Sequence, residues 1–324
     1  STGAGDDIVR FFNTFDAADK YDGGAGYDTI ALQGDQAGLL NGNTNVTNVE
    51  NLTLWGTLHN ADLTLNGYNL PTGLDDLTIN GNLTSNGYDL TITNLSRGTI
   101  TLASSLTNGD VTLAGDGTGS QTFTLVVDGG ITVDNAYVGG MKALDISFAD
   151  ASSGLTLNSL TFNQGDVQSV SISGSDGNSV WINATGGANT VTDLLDLSNF
   201  TGHIEFTGGA QLSPDIQTIN IGDVSDYFGA DSVITIAGGA NNEFVFGSAL
   251  ADGVTITYFD VDTNIANPND VLDLAGLGVT SFADLDLSTV GVIKSVDGSF
   301  GDITITNIVG GAWGDLSANN FHFA

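Results

Sequence analysis

The stretch DGGAGYDTIAL (residues 22–32) combines a glycine-rich turn with the start of a strand. Residues 23–31 match, position by position, the nine-residue pattern G-G-x-G-x-D-x-U-x, in which U is a large apolar residue. Calcium takes six to eight oxygen ligands, and glycines let a tight loop aim its backbone carbonyls inward without Cβ clashes. Asp28 adds a carboxylate, and the apolar Ile30 leads into an inward-facing strand. The stretch therefore predicts a calcium-binding turn.

A second copy of the pattern precedes the first, in TGAGDDIVR (residues 2–10). Thr2 replaces the first glycine, Asp7 is the predicted ligand and Val9 is the inward-facing residue. Asp7 and Asp28 are 21 residues apart, whereas a regular roll of nonapeptides stacks its loops about every 18 residues. The spacing leaves open either an insertion or a pair of loops that do not stack.

The segment between the two copies contains further acidic residues. Asp19 and Asp22 could add carboxylates to a calcium site there. The predicted metal ligands are Gly3, Gly5, Asp7, Asp19, Asp22, Gly24, Gly26 and Asp28, with Ca²⁺ as the cofactor.

Charge is the most unusual property of this 324-residue chain. It carries 38 acidic residues against 5 basic ones, a formal net charge of −33. Self-repulsion of that size opposes compaction unless cations neutralise it. Nucleic acid and anionic membranes are therefore poor partners, and divalent cations are good ones. A hydrophobic content of 40% is adequate for a core and argues against wholesale disorder.

Cysteine is absent, so thiolate metal sites and thiol nucleophiles are excluded, which is consistent with an extracellular bacterial protein. The sequence starts without a basic segment followed by an apolar one, and it has no apolar run of the roughly 18 residues that a membrane span needs. We therefore expect neither a cleavable secretory leader nor membrane insertion. Because the first residues already belong to a calcium motif, we expect the chain to be a piece of a longer protein.

Short alternating runs recur along the chain, among them LTLW (52–55), LTLN (63–66), LTIN (77–80) and LTIT (90–93). Each alternates apolar and polar residues, which is typical of a strand with one buried face. LTLNGYNL (63–70) is echoed by LTSNGYDL (83–90). The echo favours an all-β fold, a parallel β-solenoid or β-roll with irregular repeats. A β-sandwich is the alternative, since it also gives short strands at regular spacing.

Two segments depart from this pattern. TDLLDLSNF (192–200) is the one candidate for a short helix. GGANNEFVF (238–246) keeps the nonapeptide frame, but Asn241 replaces a glycine and Glu243 stands where the aspartate belongs. It is therefore predicted to be a degenerate repeat.

Residues for catalysis are not found in a recognisable arrangement, and we predict that the protein is not an enzyme. His59, His203 and His322 are isolated from one another, so neither H-E-x-x-H nor a His-rich zinc site is expected. His203 and Glu205 are predicted to form a pair on a strand surface. No G-x-S-x-G nucleophile elbow occurs, and acidic pairs carry no signal in so acidic a chain.

These motifs resemble those of type-I-secreted proteins with repeats-in-toxin (RTX) calcium motifs, a group that includes bacterial surface-layer proteins. NVENLTLWGT (48–57) is similar to the V-E-N-L-T-L segment that follows such repeats, and residues 256–278 resemble the stretch that opens the family's C-terminal region. DGSFGDITITN (297–307) and LSANNFHFA (316–324) are similar to its last hairpin and terminal secretion signal. The chain departs from the family in having two good repeats rather than a long array.

The resemblance implies export through a one-step channel that reads an uncleaved C-terminus, and folding when the chain meets extracellular calcium. It implies a secreted protein of the bacterial cell surface. We divide the chain into RTX-like calcium repeats (1–35), a β-solenoid region (36–250) and a C-terminal cap with the secretion-signal region (251–324).

Three functions follow in order of preference. The first is an extracellular structural protein, a calcium-dependent, self-assembling surface-layer or sheath component. Its partners would be further copies in a lattice or filament, and cell-surface polysaccharide. The second is a binding module, the C-terminal part of a secreted RTX adhesin. The third is a β-helical carbohydrate-active enzyme, which is disfavoured because the chain offers almost no basic residues for a groove.

Overall fold

The structure is a computed structural model in which the chain winds into a parallel β-solenoid. This confirms the predicted all-β solenoid, and the β-sandwich alternative is not the fold. The described residues are 3–56, 62–71, 73–74, 76–80, 88–94, 99–103, 105–115, 117, 120–163, 167–184, 194–207, 218–222, 224, 232–235, 243–257, 259–261, 270–308 and 310–324.

Among the described residues, the first sheet has 13 strands, and every neighbouring pair in it is parallel. In spatial order it contains β1 (Ile8–Arg10), β3 (Thr29–Gln33), β5 (Asn51–Trp55), β7 (Asp76–Ile79), β9 (Thr99–Leu102), β11 (Thr122–Val127), β13 (Ala143–Phe148), β15 (Ser169–Gly174), β17 (Leu194–Phe200), β19 (Thr218–Ile221), β21 (Glu243–Phe246), β23 (Val271–Asp273) and β27 (Phe321–His322).

The second sheet has 12 strands in the part of the chain that the structure describes. In spatial order it contains β24 (Leu285–Asp286), β25 (Val292–Ser295), β26 (Ile303–Thr306), β22 (Val254–Thr257), β20 (Ser232–Thr235), β18 (His203–Thr207), β16 (Ser179–Ala184), β14 (Gly154–Asn163), β12 (Gly130–Gly139), β10 (Leu106–Ala114), β8 (Leu90–Thr93) and β6 (Leu63–Asn66). Consecutive strands from β5 to β23 alternate between the two sheets, so each turn of the solenoid adds one strand to each sheet.

Shorter elements lie between the sheet strands. Strands β2 (Tyr21–Asp22) and β4 (Val46–Thr47) form a separate parallel pair. The helix α1 (Gly34–Ala37) follows β3 directly. The 3₁₀ turns are Gly38–Leu40, Gly67–Asn69, Ala275–Leu277, Phe282–Asp284, Trp313–Asp315 and Ala318–Asn320. No helix in the described part of the chain is long and apolar enough to cross a membrane.

Alternation of apolar and polar residues explains why these segments are strands with one buried face. In β5 (NLTLW), Leu52 and Leu54 are fully buried and the other three residues are half-buried. Successive side chains of a strand point to opposite faces of the sheet. The apolar faces of both sheets therefore meet in one continuous core, to which Phe123 and Phe244 of the first sheet and Phe206 of the second contribute.

The segment predicted as a helix is a strand. Residues 194–200 form β17, in which Leu195, Leu197 and Phe200 are buried. Residues 192–193 lie outside the described residues. The buried leucines of this segment alternate with less buried neighbours, which suits a strand, and β17 is paired on both sides by β15 and β19. The helix prediction was therefore wrong, because pairing within the sheet decides the structure of this segment.

The strand register differs from the one that the sequence echo suggests. The echo aligns position 63 with position 83, whereas Leu63 lies beside Leu90 in the second sheet. In the first sheet Thr29 lies beside Asn51, which is a shorter separation along the chain. The turns of the solenoid therefore differ in length. The echo predicts the right class of fold but not the register of its strands.

The C-terminal end of the solenoid differs from the rest. Strand β26 is parallel to β22 but antiparallel to β25, so residues 292–306 form a hairpin, which overlaps the segment 297–307 that was compared with a last hairpin. The first sheet runs without interruption from β1 to β27, past residues 35 and 250. The three-part division of the chain stays a prediction.

Candidate metal centre

The two glycine-rich copies stack on one another at the N-terminal end of the first sheet. Strand β1 pairs with β3 so that Ile8 lies beside Thr29, and the alanines between the glycines also pair. This register places Asp7 beside Asp28. The spacing left open either an insertion or a pair of loops that do not stack. The loops do stack, and equivalent residues on them are 21 positions apart.

The four glycines that were predicted as metal ligands adopt backbone conformations that other residues rarely adopt. Gly3, Gly5, Gly24 and Gly26 have φ values of 111°, 120°, 103° and 144°. A Cβ at position 24 would overlap the carbonyl oxygen of Gly3, which accepts a hydrogen bond from the N–H of Ala25 (3.0 Å). The glycine pattern therefore serves the backbone conformation of the turns and their close stacking.

Two carboxylate oxygens at this end are buried without a hydrogen-bond partner. Oδ1 of Asp28 accepts a hydrogen bond from the N–H of Asp7 (2.9 Å), but Oδ2 of Asp28 and Oδ2 of Asp7 have no partner. The whole Asp28 residue is 0% exposed. Leaving a buried polar atom unsatisfied costs about 1–3 kcal/mol, and more when the group is charged. This pair of oxygens therefore favours a bound cation.

Gly23 lies close to both the Asp28 side chain and the backbone carbonyl of Asn48 on the next turn. A Cβ at position 23 would lie 2.8 Å from Oδ2 of Asp28 and would overlap the carbonyl oxygen of Asn48. Asn48 has a left-handed φ of 52°, a conformation in which asparagine is enriched. A carboxylate oxygen and a backbone carbonyl oxygen thus lie beside one small space that only glycine leaves open.

Asp7, Asp28 and Glu50 lie on successive turns and form an acidic column. The sequence prediction missed Glu50. Oε2 of Glu50 accepts a hydrogen bond from the N–H of Asp28 (2.7 Å), and the N–H of Glu50 donates to the Asp28 carbonyl (3.0 Å). The signal was its position: Glu50 immediately precedes β5, as Asp7 precedes β1 and Asp28 precedes β3. One acidic residue before each of three stacked strands marks the column.

Asp19 and Asp22 make local contacts in the intervening segment. Oδ2 of Asp19 accepts a hydrogen bond from the N–H of Asp16 (2.8 Å). Oδ1 of Asp22 accepts one from the side-chain amide of Asn48 (2.7 Å). Their role as ligands stays a prediction.

A hard cation such as Ca²⁺ prefers oxygen ligands, and the candidate ligands at this site are oxygen atoms. Asp7 and Asp28 would supply carboxylates, and Asn48 a backbone carbonyl. Across the described ranges, no three acidic or histidine side chains at this end bring their ligand atoms within 4.8 Å of one another. Backbone carbonyls of the glycine turns would therefore supply part of the ligand set.

In a second acidic column, the carboxylates accept hydrogen bonds from residues on neighbouring turns. Asp62, Asp89 and Asp110 each begin a D-L-T or D-V-T segment of the second sheet. The N–H of Asp89 donates to Oδ1 of Asp62 (3.1 Å), and the N–H of Asp110 donates to Oδ1 of Asp89 (2.9 Å). Asn135 donates its side-chain amide to Oδ1 of Asp110 (2.9 Å). These carboxylates join successive turns through hydrogen bonds.

The predicted pair of His203 and Glu205 forms, with Nε2 of His203 3.3 Å from Oε1 of Glu205. Its predicted place on the surface is wrong for the histidine, because His203 is only 1% exposed. The His203 ring packs against Trp181, with the ring centres 5.7 Å apart. His59 lies outside the described residues.

Several carboxyls with lowered pKa values lie in exposed turns, away from this centre. The Thr280 hydroxyl is the main cause of the lowered pKa of Asp284, with further hydrogen bonds from Ser281. Ser152 has the same effect on the pKa of Asp150. Hydrogen bonds to the ionised form favour that form, so these side chains stabilise their turns as carboxylates.

The fold and the stacked turns define a parallel β-solenoid with a candidate cation site at its N-terminal end. Comparison with protein-family models, with curated proteins and with solved structures finds no significant match for this chain. The resemblance to RTX proteins therefore rests on the quoted sequence motifs.

Proposed function

We propose that the protein is an extracellular structural protein, a surface-layer or sheath component that folds and self-assembles in the presence of calcium. One observation carries the proposal: Oδ2 of Asp7 and Oδ2 of Asp28 are buried without partners, and each aspartate directly follows one of the two stacked glycine turns. The unfolded chain lacks these stacked turns, so an ion that binds them stabilises the folded state by mass action.

The charge of the chain supports a calcium-dependent assembly. Copies that each carry a net charge of −33 repel one another at close range. Divalent cations that bind exposed carboxylates reduce this repulsion and can bridge neighbouring copies. The same excess of acidic residues supports a calcium requirement for both folding and association.

The RTX-like motifs support the proposed location. A chain that needs calcium to fold stays unfolded in the low calcium of the cytosol, which suits export as an extended polypeptide. Folding outside the cell would then place the solenoid at the bacterial surface, where further copies and cell-surface polysaccharide are its proposed partners.

Sedimentation velocity and electron microscopy of the untagged protein test the proposal. Ordered assemblies are expected in calcium, smaller species in EDTA, and assemblies again when calcium is restored. Assemblies of the same size in calcium and in EDTA would contradict the proposal.

Two variants make the test specific. Asp28→Asn removes a charge at the unpartnered oxygen and should raise the calcium concentration for half-maximal assembly by about tenfold, equivalent to ~1.4 kcal/mol. Asp89→Asn is the matched control, because asparagine keeps an oxygen that can accept the hydrogen bond from Asp110. The control should assemble at the same calcium concentration as the unmodified protein.

A further inference from the structure

Three side chains from neighbouring strands converge near the C-terminal end of the solenoid. They belong to Glu243 on β21, Asp273 on β23 and His322 on β27, which lie side by side in the first sheet. Each offers one ligand atom, and the three atoms lie within 4.8 Å of one another. Nδ1 of His322 is 2.8 Å from Oε1 of Glu243. Residues 238–242 of the degenerate repeat lie outside the described residues.

The alternation of the strands explains the convergence. Phe244, Leu272 and Phe321 each adjoin one of the three residues in sequence, and all are buried in the core. Their neighbours therefore face outward on the same surface of the sheet. Asp273 lies directly beside His322, and β21 brings Glu243 from the other side of β23.

The three ligand types indicate which ion fits. One imidazole nitrogen with two carboxylate oxygens is a mixed set that suits zinc and similar transition metals, whereas Ca²⁺ prefers oxygen alone. Zn²⁺ binds these groups at about 2.0–2.2 Å, so its tetrahedral ligands lie about 3.4 Å apart. The three atoms, which lie within 4.8 Å of one another, are therefore close to the separation that such a site requires.

The surroundings also favour a cation. Oδ1 of Asp273 accepts a hydrogen bond from the N–H of Ala275 (3.0 Å), which fixes the carboxylate beside the other two groups. Such outer contacts orient metal ligands. Two carboxylates beside a single imidazole leave excess negative charge even when the imidazole is protonated, and the side chains of Glu243 and His322 are 37% and 58% exposed. An ion can therefore enter from solvent.

We infer that Glu243, Asp273 and His322 form a binding site for a divalent transition-metal ion such as Zn²⁺. The site is chemically distinct from the oxygen-lined centre at the N-terminal end. It ties β27, a strand of only two residues at the edge of the sheet, to β23 and β21. Its ion stabilises the last strand of the first sheet against local opening.

Titration calorimetry with Zn²⁺ on the untagged, calcium-loaded full chain tests the site. The expected result is one saturable site that excess calcium does not displace. His322→Ala and Glu243→Gln should each weaken Zn²⁺ binding at least about tenfold. Cobalt gives an independent readout, because Co²⁺ bound to the unmodified protein should show a visible absorption spectrum that both variants lose.

Glu205→Gln is the matched control, because the pair of Glu205 and His203 does not belong to a three-ligand group within the described residues. This variant should bind Zn²⁺ as tightly as the unmodified protein. Asp28→Asn should also keep the zinc site, which separates this inference from the calcium proposal. Unchanged Zn²⁺ affinity in His322→Ala, no saturable site in the unmodified protein, or displacement of Zn²⁺ by calcium would overturn the inference.

Discussion

The N–H of Asp7 donates to Oδ1 of Asp28 across 2.9 Å, and the second carboxylate oxygen of each residue is buried without a partner. The hydrogen bond holds one glycine turn above the next, so folding itself brings the two unpartnered oxygens out of water. The fold thus has an electrostatic cost at this end that a bound cation can offset.

Asp28→Asn should have opposite effects on stability with and without calcium. In EDTA the variant should be more stable than the unmodified protein by about 1–3 kcal/mol, because a buried unpaired charge is removed. In calcium it should be less stable, because the ion loses a carboxylate. Denaturant unfolding in the two buffers measures both differences. Equal destabilisation in both buffers would show that Asp28 acts only through packing.

Gly24→Ala should lower the free energy of unfolding, because it disrupts the close stacking of the two glycine turns. Gly24 has a φ of 103°, and a Cβ there would overlap the Gly3 carbonyl oxygen, so we expect a loss of more than about 2 kcal/mol. Gly42→Ala is the control, since Gly42 has a φ of 75° but a Cβ added there would meet no atom within 4 Å. Its loss should be about 1–2 kcal/mol. Equal losses for the two variants would argue against close stacking at Gly24.

Leu197→Ala tests the strand that replaces the predicted helix. Leu197 is 0% exposed, so the substitution should leave a cavity and cost about 2–5 kcal/mol of unfolding free energy. Ser198→Ala, at the exposed neighbouring position, should change stability by less than about 0.5 kcal/mol. Similar costs at the two positions would contradict the alternation of burial in β17.

Asp284 should contribute to the pH dependence of stability. Its pKa is lowered from an ordinary value near 3.8, chiefly by the Thr280 hydroxyl. A lowered pKa in the folded state gives stability that is present above the unfolded-state pKa and is lost as the pH falls through the folded-state pKa. The difference in unfolding midpoint between the unmodified protein and Asp284→Asn should therefore shrink below about pH 4. A difference that grows in acid would contradict this assignment.

Local patterns predicted much of the fold because burial in a solenoid follows the alternation within each strand. Leu52 and Leu54 were recognisable as core residues from LTLW alone, and the glycines with positive φ from the nonapeptide pattern. Glu50 precedes β5 as Asp28 precedes β3, but no short motif predicts its contact with Asp28.

Contacts between turns could not be predicted, because the turns differ in length. Asp7 stacks on Asp28 and Leu63 pairs with Leu90, and the second pair is more widely separated along the chain than the first. Glu243 and His322 are 79 residues apart, so only the register of β21, β23 and β27 brings them together. Register depends on backbone pairing across the whole sheet, which no short motif records.

Calorimetric titration of Ca²⁺ into the EDTA-stripped protein measures the central claim directly. The unmodified protein should bind calcium saturably and gain stability as it does, and the Asp7→Asn/Asp28→Asn double variant should lose that binding component. Asp62→Asn/Asp89→Asn, in the column that backbone hydrogen bonds satisfy, should retain it. A double variant at Asp7 and Asp28 with the same calcium isotherm as the unmodified protein would contradict the account.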